Sequence, residues 1–372
     1  MFHLSILWMG ENMKRLIAGT AAILAAVLII SCPAGAISAR KAILLDGQTG
    51  RVLYEKQADE KSLIASTTKI MTALLICEQC NVLDRMCIPK EATGIEGSSI
   101  YLQEGEVLTL QELLYGMMLH SGNDAATALA IYCGGTVEGF AAMMNDKARM
   151  LNMSNTHFVN PHGLDAPDHY STARDLAILA RYAMENPIFS KIVSTKSVCI
   201  GQRSLTNHNK LLWRVEGADG VKTGYTKAAG RILVSSAQRQ GRRLIAVTIE
   251  DGNDWADHAA LYEQGFRCYK VRQVVSKGQS LGHLQVFGGV EDHVQILASE
   301  DFSYALMEDE HPEIHLSQKG MTFAPVVEGG HAGYAYICIR DEAVGKIPVQ
   351  YAYTVELQQP KKETIWQRLF GE

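Results

Sequence analysis

The segment Ile64-Ala65-Ser66-Thr67-Thr68-Lys69-Ile70-Met71-Thr72-Ala73-Leu74-Leu75 sets a serine three residues before a lysine, at the start of an apolar run holding neither Gly nor Pro. Such a run predicts a buried helix. Residues three apart on a helix share a face, so the Ser66 hydroxyl and the Lys69 amine meet near the helix N-terminus. A serine hydroxyl is a poor nucleophile until a neighbouring base takes its proton. Lysine serves as that base when burial or a cationic neighbour lowers its pKa. Ser66 is therefore the candidate nucleophile and Lys69 the candidate base. The pair also fits a plain helix start, where serine is a common cap, and the motif alone does not separate the two readings.

Outward from this segment, Lys41 to Glu55 predicts a β-hairpin, two apolar runs flanking Asp46-Gly47-Gln48-Thr49-Gly50. Ala58 to Ile64 is a connecting loop, and Val82 to Gly105 is irregular, its Ser98, Ser99 and Tyr101 read as loop polarity. Thr109-Leu-Gln-Glu112 fits a capping box ahead of the helix Leu113 to Leu119. That helix runs into His120-Ser121-Gly122-Asn123-Asp124, and a second helix, Ala125 to Tyr132, stops at Gly134-Gly135. Ser121 and Asn123 thus occupy a turn between helices, from which a hydroxyl and an amide project into a cleft; alternatively Asn123 or Asp124 only caps the second helix.

A Met-rich helix, Thr136 to Met150, reads as core, and Ser171 to Met184 as an amphipathic helix. His162, within the Gly/Pro loop Phe158 to Asp165, and His169, beyond it, lack zinc spacing and read as loop hydrogen-bonders. Asp219-Gly220-Val221-Lys222-Thr223-Gly224-Tyr225-Thr226 begins as a strand and is expected to open at Gly224, where the missing side chain lets a substrate backbone lie alongside. Lys222 and Thr223 would offer a cation and a hydroxyl to a carboxylate. Arg231 to Gln238 and Arg243 to Glu250 form a hairpin, followed by a helix from Asn253 to Tyr269.

Ser66-x-x-Lys69, Ser121-Gly-Asn123 and Lys222-Thr-Gly224 occur in that order at wide spacing. With Asn160-Pro-His-Gly-Leu-Asp, Tyr170-Ser-Thr-Ala-Arg-Asp-Leu-Ala and Asp219-Gly-Val-Lys-Thr-Gly-Tyr-Thr, they resemble the D-alanyl-D-alanine carboxypeptidases, the low-molecular-mass penicillin-binding proteins of peptidase family S11. The resemblance covers Lys41 to Lys270 closely and the remainder loosely. It implies an α/β (α+β) penicillin-binding-protein/β-lactamase-like transpeptidase fold, helices around an antiparallel sheet, plus a small C-terminal all-β domain. By matching motifs, Ser66 is acylated and Lys69 is its base; Ser121 and Asn123 relay protons and hold the substrate amide. Lys222 and Thr223 bind the terminal carboxylate, and the backbone N–H groups of Ser66 and Tyr225 form the oxyanion hole. Ser66 attacks the penultimate D-Ala carbonyl of a peptidoglycan stem peptide, the last D-Ala leaves, and water hydrolyses the acyl-enzyme. β-Lactams are implied as covalent inhibitors; no metal or cofactor is implied.

The first 39 residues read as a secretory leader. Met13 is followed by Lys14 and Arg15, an uncharged stretch from Leu16 to Ala39, and Ala34-Gly35-Ala36 as a small-residue cleavage site. Met13 reads as the true start; an uncleaved anchor and a lipoprotein box at Cys32 stay open. The protein is then exported, to the cell wall or the outer face of the cytoplasmic membrane. Net charge is −5, with 20% charged residues, which gives no reason to expect nucleic acid as a partner. Eight cysteines, seven after cleavage, do not read as a disulfide framework. Cys77 reads as core, and a Cys80–Cys87 link stays undecided.

Domain boundaries are expected at 40–270 for the enzyme, 271–357 for an alternating β-sandwich, and 358–372 for a tail. That tail sets Ile365, Trp366, Leu369 and Phe370 on one helical side and is either a peripheral membrane contact or a disordered end. A class A-like β-lactamase, a D,D-endopeptidase and a non-catalytic cell-wall binding module are the alternative functions. The lactamase needs a glutamate to activate water, and neither Glu138 nor Glu185 has the expected loop context.

Overall fold

The computed structural model describes residues 37–317 and 320–359. All of the leader but residues 37–39, and all of the tail but 358–359, lie outside the described residues. The chain divides into two compact units, with the boundary between Cys268 and Tyr269.

The first unit is built on a five-stranded antiparallel sheet, in the order Val52–Lys56, Lys41–Asp46, Arg242–Ile249, Gly230–Arg239, Ala218–Thr226. Lys41–Asp46 is buried at every position, as the apolar run 42–45 requires of an inner strand. Among the described residues Ala218–Thr226 pairs on one side only, with Tyr225 opposite Arg231. Its other edge is free to pair with an extended peptide.

Helices cover the sheet. Lys69–Gln79 is buried from Lys69 through Ile76 and lies at the centre of the helical layer, against Leu110–Leu119, Asn123–Gly134 and Ala173–Ala183. A helix apolar on every side is a core helix. The capping box at Thr109 forms: its N–H donates to Glu112 Oε2 at 2.8 Å, and the Glu112 N–H donates to Thr109 Oγ1 at 3.2 Å. Thr136 and Thr172 cap Val137–Met150 and Ala173–Ala183 with the side-chain half of that arrangement, each hydroxyl accepting one backbone N–H, from Gly139 and Asp175.

Two local expectations are corrected. Ser66 is not on the helix with Lys69: Ala65–Thr68 is a 3-10 turn, and the α-helix starts at Lys69. Ala65 has φ +44°, and the Thr67 and Thr68 hydroxyls donate to the carbonyls of Ile64 and Ala65 at 2.5 and 2.9 Å, competing with helical bonding. Nor does the strand open at Gly224; it continues to Thr226. A Cβ on Gly224 would stand 3.2 Å from Ile64 O and from Thr67 Cγ2, so the glycine lets the strand press against the turn that carries Ser66.

The second unit is all β. A six-stranded sheet runs Glu313–Leu316, His331–Ile339, Glu342–Tyr351, His293–Ala298, Ser280–Phe287, Met321–Phe323, parallel only in its last pair. A two-stranded sheet, Lys270–Val275 with Phe302–Leu306, forms the smaller layer. Alternate residues such as Val294, Ile296, Ile347 and Val349 fill the core between turns, as period-two patterning dictates.

Candidate active site

Lys69 Nζ lies 3.0 Å from Ser66 Oγ, 2.6 Å from Asn123 Oδ1 and 2.7 Å from the His162 carbonyl. Three acceptors satisfy an ammonium. A neutral amine keeps two N–H donors for Asn123 and His162 and turns its lone pair on the Ser66 O–H. Lys69 is fully buried and makes no ion pair among the described residues. Burial first, and the charge of Lys222 second, hold its pKa well below the usual 10.5, against the pull of Asp124.

Asn123 is fixed from both ends. Its Nδ2 donates to Glu96 O at 2.5 Å and its backbone N–H to Ser98 O at 2.7 Å. The adjacent Asp124 carboxylate is buried and accepts from Ser99 Oγ at 2.6 Å and from the backbone N–H of Ile100 and Leu102 at 3.1 Å. This pins the 96–102 loop over the helix start. Ser121 is in the left-handed region, φ +66°, which few non-glycine residues adopt.

The Gly/Pro loop forms the back of the site. Gly163 has φ +91°, and a Cβ there would fall 1.8 Å from Ala65 O. His169 Nδ1 accepts the Val159 N–H at 3.1 Å, so its proton is on Nε2, which donates to Thr68 Oγ1 at 2.7 Å. Burial lowers His169 to about 4 and His162 to about 3, so both rings are neutral at pH 7. These histidines act as hydrogen-bonders, and the backbone carbonyl of His162 reaches Lys69.

Ser66, Ser121, Thr223, Gly224 and Tyr225 line a single cleft of about 610 Å³. Lys222 sits behind them, fully buried; its Nζ donates to Thr223 O at 3.0 Å, and burial lowers its pKa to about 7. Strand alternation puts it on the face opposite Thr223. Among the described residues no cluster of three His, Cys, Asp or Glu could hold a metal ion.

Ser98, read from sequence as loop polarity, lines the cleft, and sequence reading gave no site role to His208, Trp213, Arg231, Asp254 and Trp255, which line it too. Arg231 Nη2 donates to both oxygens of the buried Asp254 carboxylate, at 2.8 and 2.7 Å, and Nε donates at 3.1 Å. Pairing the strand through Tyr225 with the one after its turn would have set Arg231 opposite Tyr225. The carbonyls of Glu96 and His162 carry no sequence signal, because every residue has one.

Residues 28–253 match the peptidase S11 family, D-alanyl-D-alanine carboxypeptidase, and residues 269–357 match the penicillin-binding protein 5 C-terminal domain. The chain is 33% identical over 331 residues to the D-alanyl-D-alanine carboxypeptidase DacF of Bacillus subtilis, covering 84% of each. It is 35% identical over 283 residues to DacC of Escherichia coli, covering 72% of this chain and 71% of that one. Penicillin-binding protein 5 of Haemophilus influenzae superposes with a TM-score of 0.76 at 27% identity, over 87% of this chain and 98% of that one. The chain belongs to the S11 D-alanyl-D-alanine carboxypeptidase family of serine hydrolases.

Proposed function

We propose that Ser66 is the acylated nucleophile and Lys69 its base, acting on the D-Ala-D-Ala end of a peptidoglycan stem peptide. The contact of a buried amine, without an ion pair among the described residues, with the Ser66 hydroxyl carries this reading. The neutral Lys69 takes the hydroxyl proton as Ser66 attacks the penultimate D-Ala carbonyl. Asn123 holds Lys69 in place and, with Ser121, faces the substrate amide. The backbone N–H groups of Ser66 and Tyr225 stabilise the oxyanion, which contributes a few kcal/mol per donor, about 3 at most typical sites. The leaving D-Ala carboxylate is met by Thr223 and by Arg231, which Asp254 orients, while the buried Lys222 supplies positive potential behind the strand. Water then hydrolyses the ester.

β-Lactams acylate the same serine. The protein is exported by its N-terminal segment, and its tail, if amphipathic, rests on a membrane surface. The cleft continues to Trp213 and Trp255, which favours longer peptides as well and keeps D,D-endopeptidase action on cross-links as a second reading.

The test is labelling with a fluorescent penicillin, wild type against Ser66→Ala, followed by D-Ala release from a stem pentapeptide. Labelling lost in Ser66→Ala together with D-Ala release is the expected result. Rapid penicillin turnover without D-Ala release marks a lactamase, and absent labelling of the wild type marks a binding module. Arg231→Ala is expected to raise KM about tenfold, with a smaller change in kcat, since a charge-assisted contact contributes about 1.5 kcal/mol.

A further inference from the structure

A neutral amine has one lone pair, and the end of the Asn123 amide that faces Lys69 decides where that lone pair points. The amide is fixed by its far end. A backbone carbonyl only accepts, so the Asn123 nitrogen must face Glu96 O, at 2.5 Å, and Oδ1 is left to Lys69 at 2.6 Å. Lys69 directs its N–H groups to Oδ1 and to the His162 carbonyl at 2.7 Å, and keeps the lone pair for the Ser66 hydroxyl at 3.0 Å. The reversed amide would aim an N–H at that lone pair, and Ser66 would meet a donor where it needs a base.

The Glu96 carbonyl belongs to the 96–102 loop, which is held from two directions. The buried Asp124 carboxylate accepts from Ser99 Oγ at 2.6 Å and from the Ile100 and Leu102 N–H groups at 3.1 Å. Arg203, from the strand Arg203–Thr206, donates through Nε to Ile100 O at 2.7 Å and through Nη2 to Tyr101 O at 3.1 Å. Glu106 holds the same guanidinium with both oxygens, at 2.5 and 2.7 Å. Gly97, at φ +90°, lets the loop backbone touch the amide: a Cβ there would stand 2.8 Å from Asn123 Nδ2. Neither Asp124 nor Arg203 lines the cleft.

We infer that Asp124 and Arg203 are positioning residues for acylation: through the 96–102 loop they fix which end of the Asn123 amide faces Lys69, and so keep the Lys69 lone pair on Ser66. The inference rests on the reading of Ser66 as nucleophile and Lys69 as base. The charges bearing on Lys69 are Lys222, on the edge strand, which lowers its pKa, and Asp124, on the helix Asn123–Gly134, which raises it; the His162 ring is neutral at pH 7.

Acylation of the full chain by a fluorescent penicillin is followed from about pH 5 to about pH 10 in wild type, Asp124→Asn, Arg203→Met, Asn123→Ala and the two doubles with Asn123→Ala. Rates are taken per titratable serine, so unfolded chain does not count. Asp124→Asn is expected to lower the plateau rate about tenfold and Arg203→Met about threefold. In both, the pH of half-maximal rate falls, because an amide N–H facing the amine favours its neutral form. The direction is diagnostic for Arg203→Met, since removing a cation would by itself raise that pH. In the Asn123→Ala background neither substitution lowers the plateau by more than about twofold, as expected of residues that act through the amide. Single-variant plateaus within about twofold of wild type, full additivity with Asn123→Ala, or a half-maximal pH in Arg203→Met that stays or rises overturns the inference and leaves the nucleophile and base standing. Labelling that survives Ser66→Ala takes down the underlying reading as well. If Asp124→Asn does not fold, Arg203→Met and its double decide the matter.

Discussion

The helix Lys69–Gln79 places an ionisable group near each end, and the two ends treat buried lysine in opposite ways. At its start, Lys69 meets a hydroxyl, an amide oxygen and a backbone carbonyl, and burial drives its pKa down. At its end, Glu78 receives Lys147 at 2.8 Å, with Tyr182 Oη 3.2 Å from the same amine, and the Lys147 pKa is raised. Both lysines are under a tenth exposed. The carboxylate makes the difference: with it a buried lysine is a charged tie between helices, without it a base. Burial alone therefore does not mark a catalytic lysine; its acceptors do.

The sharpest break between the two ends is in rate. Lys69→Ala is expected to slow penicillin acylation about 10³-fold, which is about 4 kcal/mol of barrier, because the Ser66 proton loses its acceptor. Lys147→Met is expected to leave that rate unchanged. Undiminished labelling of Lys69→Ala removes the base from the mechanism.

Gly163→Ala is next. The added methyl would lie 1.8 Å from Ala65 O and 2.8 Å from Thr68 Oγ1, at φ +91°, so either the loop or the 3-10 turn must move. A loss of about 3 kcal/mol in urea unfolding is expected, with slowed acylation because Ser66 rides on that turn. Wild-type stability would mean that the loop yields without cost.

The opposed pKa shifts give the two lysines opposite pH signatures. Between the depressed folded value of Lys69 and 10.5, the unfolded chain holds a proton that the folded chain lacks, so this group adds stability as pH rises. The stability of wild type relative to Lys69→Met is expected to climb from pH 7 towards pH 10, by at most about 1.4 kcal/mol per pH unit. Lys147 is raised, so its contribution is complete below 10.5 and is lost only as pH climbs through the folded value. Lys147→Met should cost about 1–2 kcal/mol, flat from pH 7 to 10. Urea unfolding at three pH values checks both, and parallel curves for the two variants would erase the contrast.

Sequence patterning reached the elements and most of the site for identifiable reasons. Periodicity exposed the helices, the Thr109–Glu112 box marked a helix start, and the three short motifs pointed to segments that do line one cleft. What it misjudged was local competition: the Thr67 and Thr68 hydroxyls turn on the backbone and split the expected helix, and Gly224 marks close packing where an open strand was expected. What it passed over came from pairing across the chain. Arg231 depends on strand register and on an aspartate 23 residues later, and the His162 carbonyl depends on a loop folding back over 93 residues.

Helix starts carry the contrast into its smallest measurable form. Leu110–Leu119 begins with a complete capping box, whereas Lys69–Gln79 begins at Thr68 with no side-chain cap. The Thr68 hydroxyl is diverted to Ala65 O and to His169 Nε2, and so braces the nucleophile turn. Thr109→Ala should therefore cost about 1 kcal/mol of stability with no change in acylation, since it removes a cap remote from the cleft. Thr68→Ala gives up no cap; it leaves the buried His169 N–H without its acceptor and loosens the turn, so acylation should fall about threefold or more while the thermal midpoint moves by a few degrees. Equal effects of the two threonines on stability and on rate would mean that the start of the nucleophile helix is an ordinary helix start, and that the hydroxyl chain from His169 to Ala65 positions nothing.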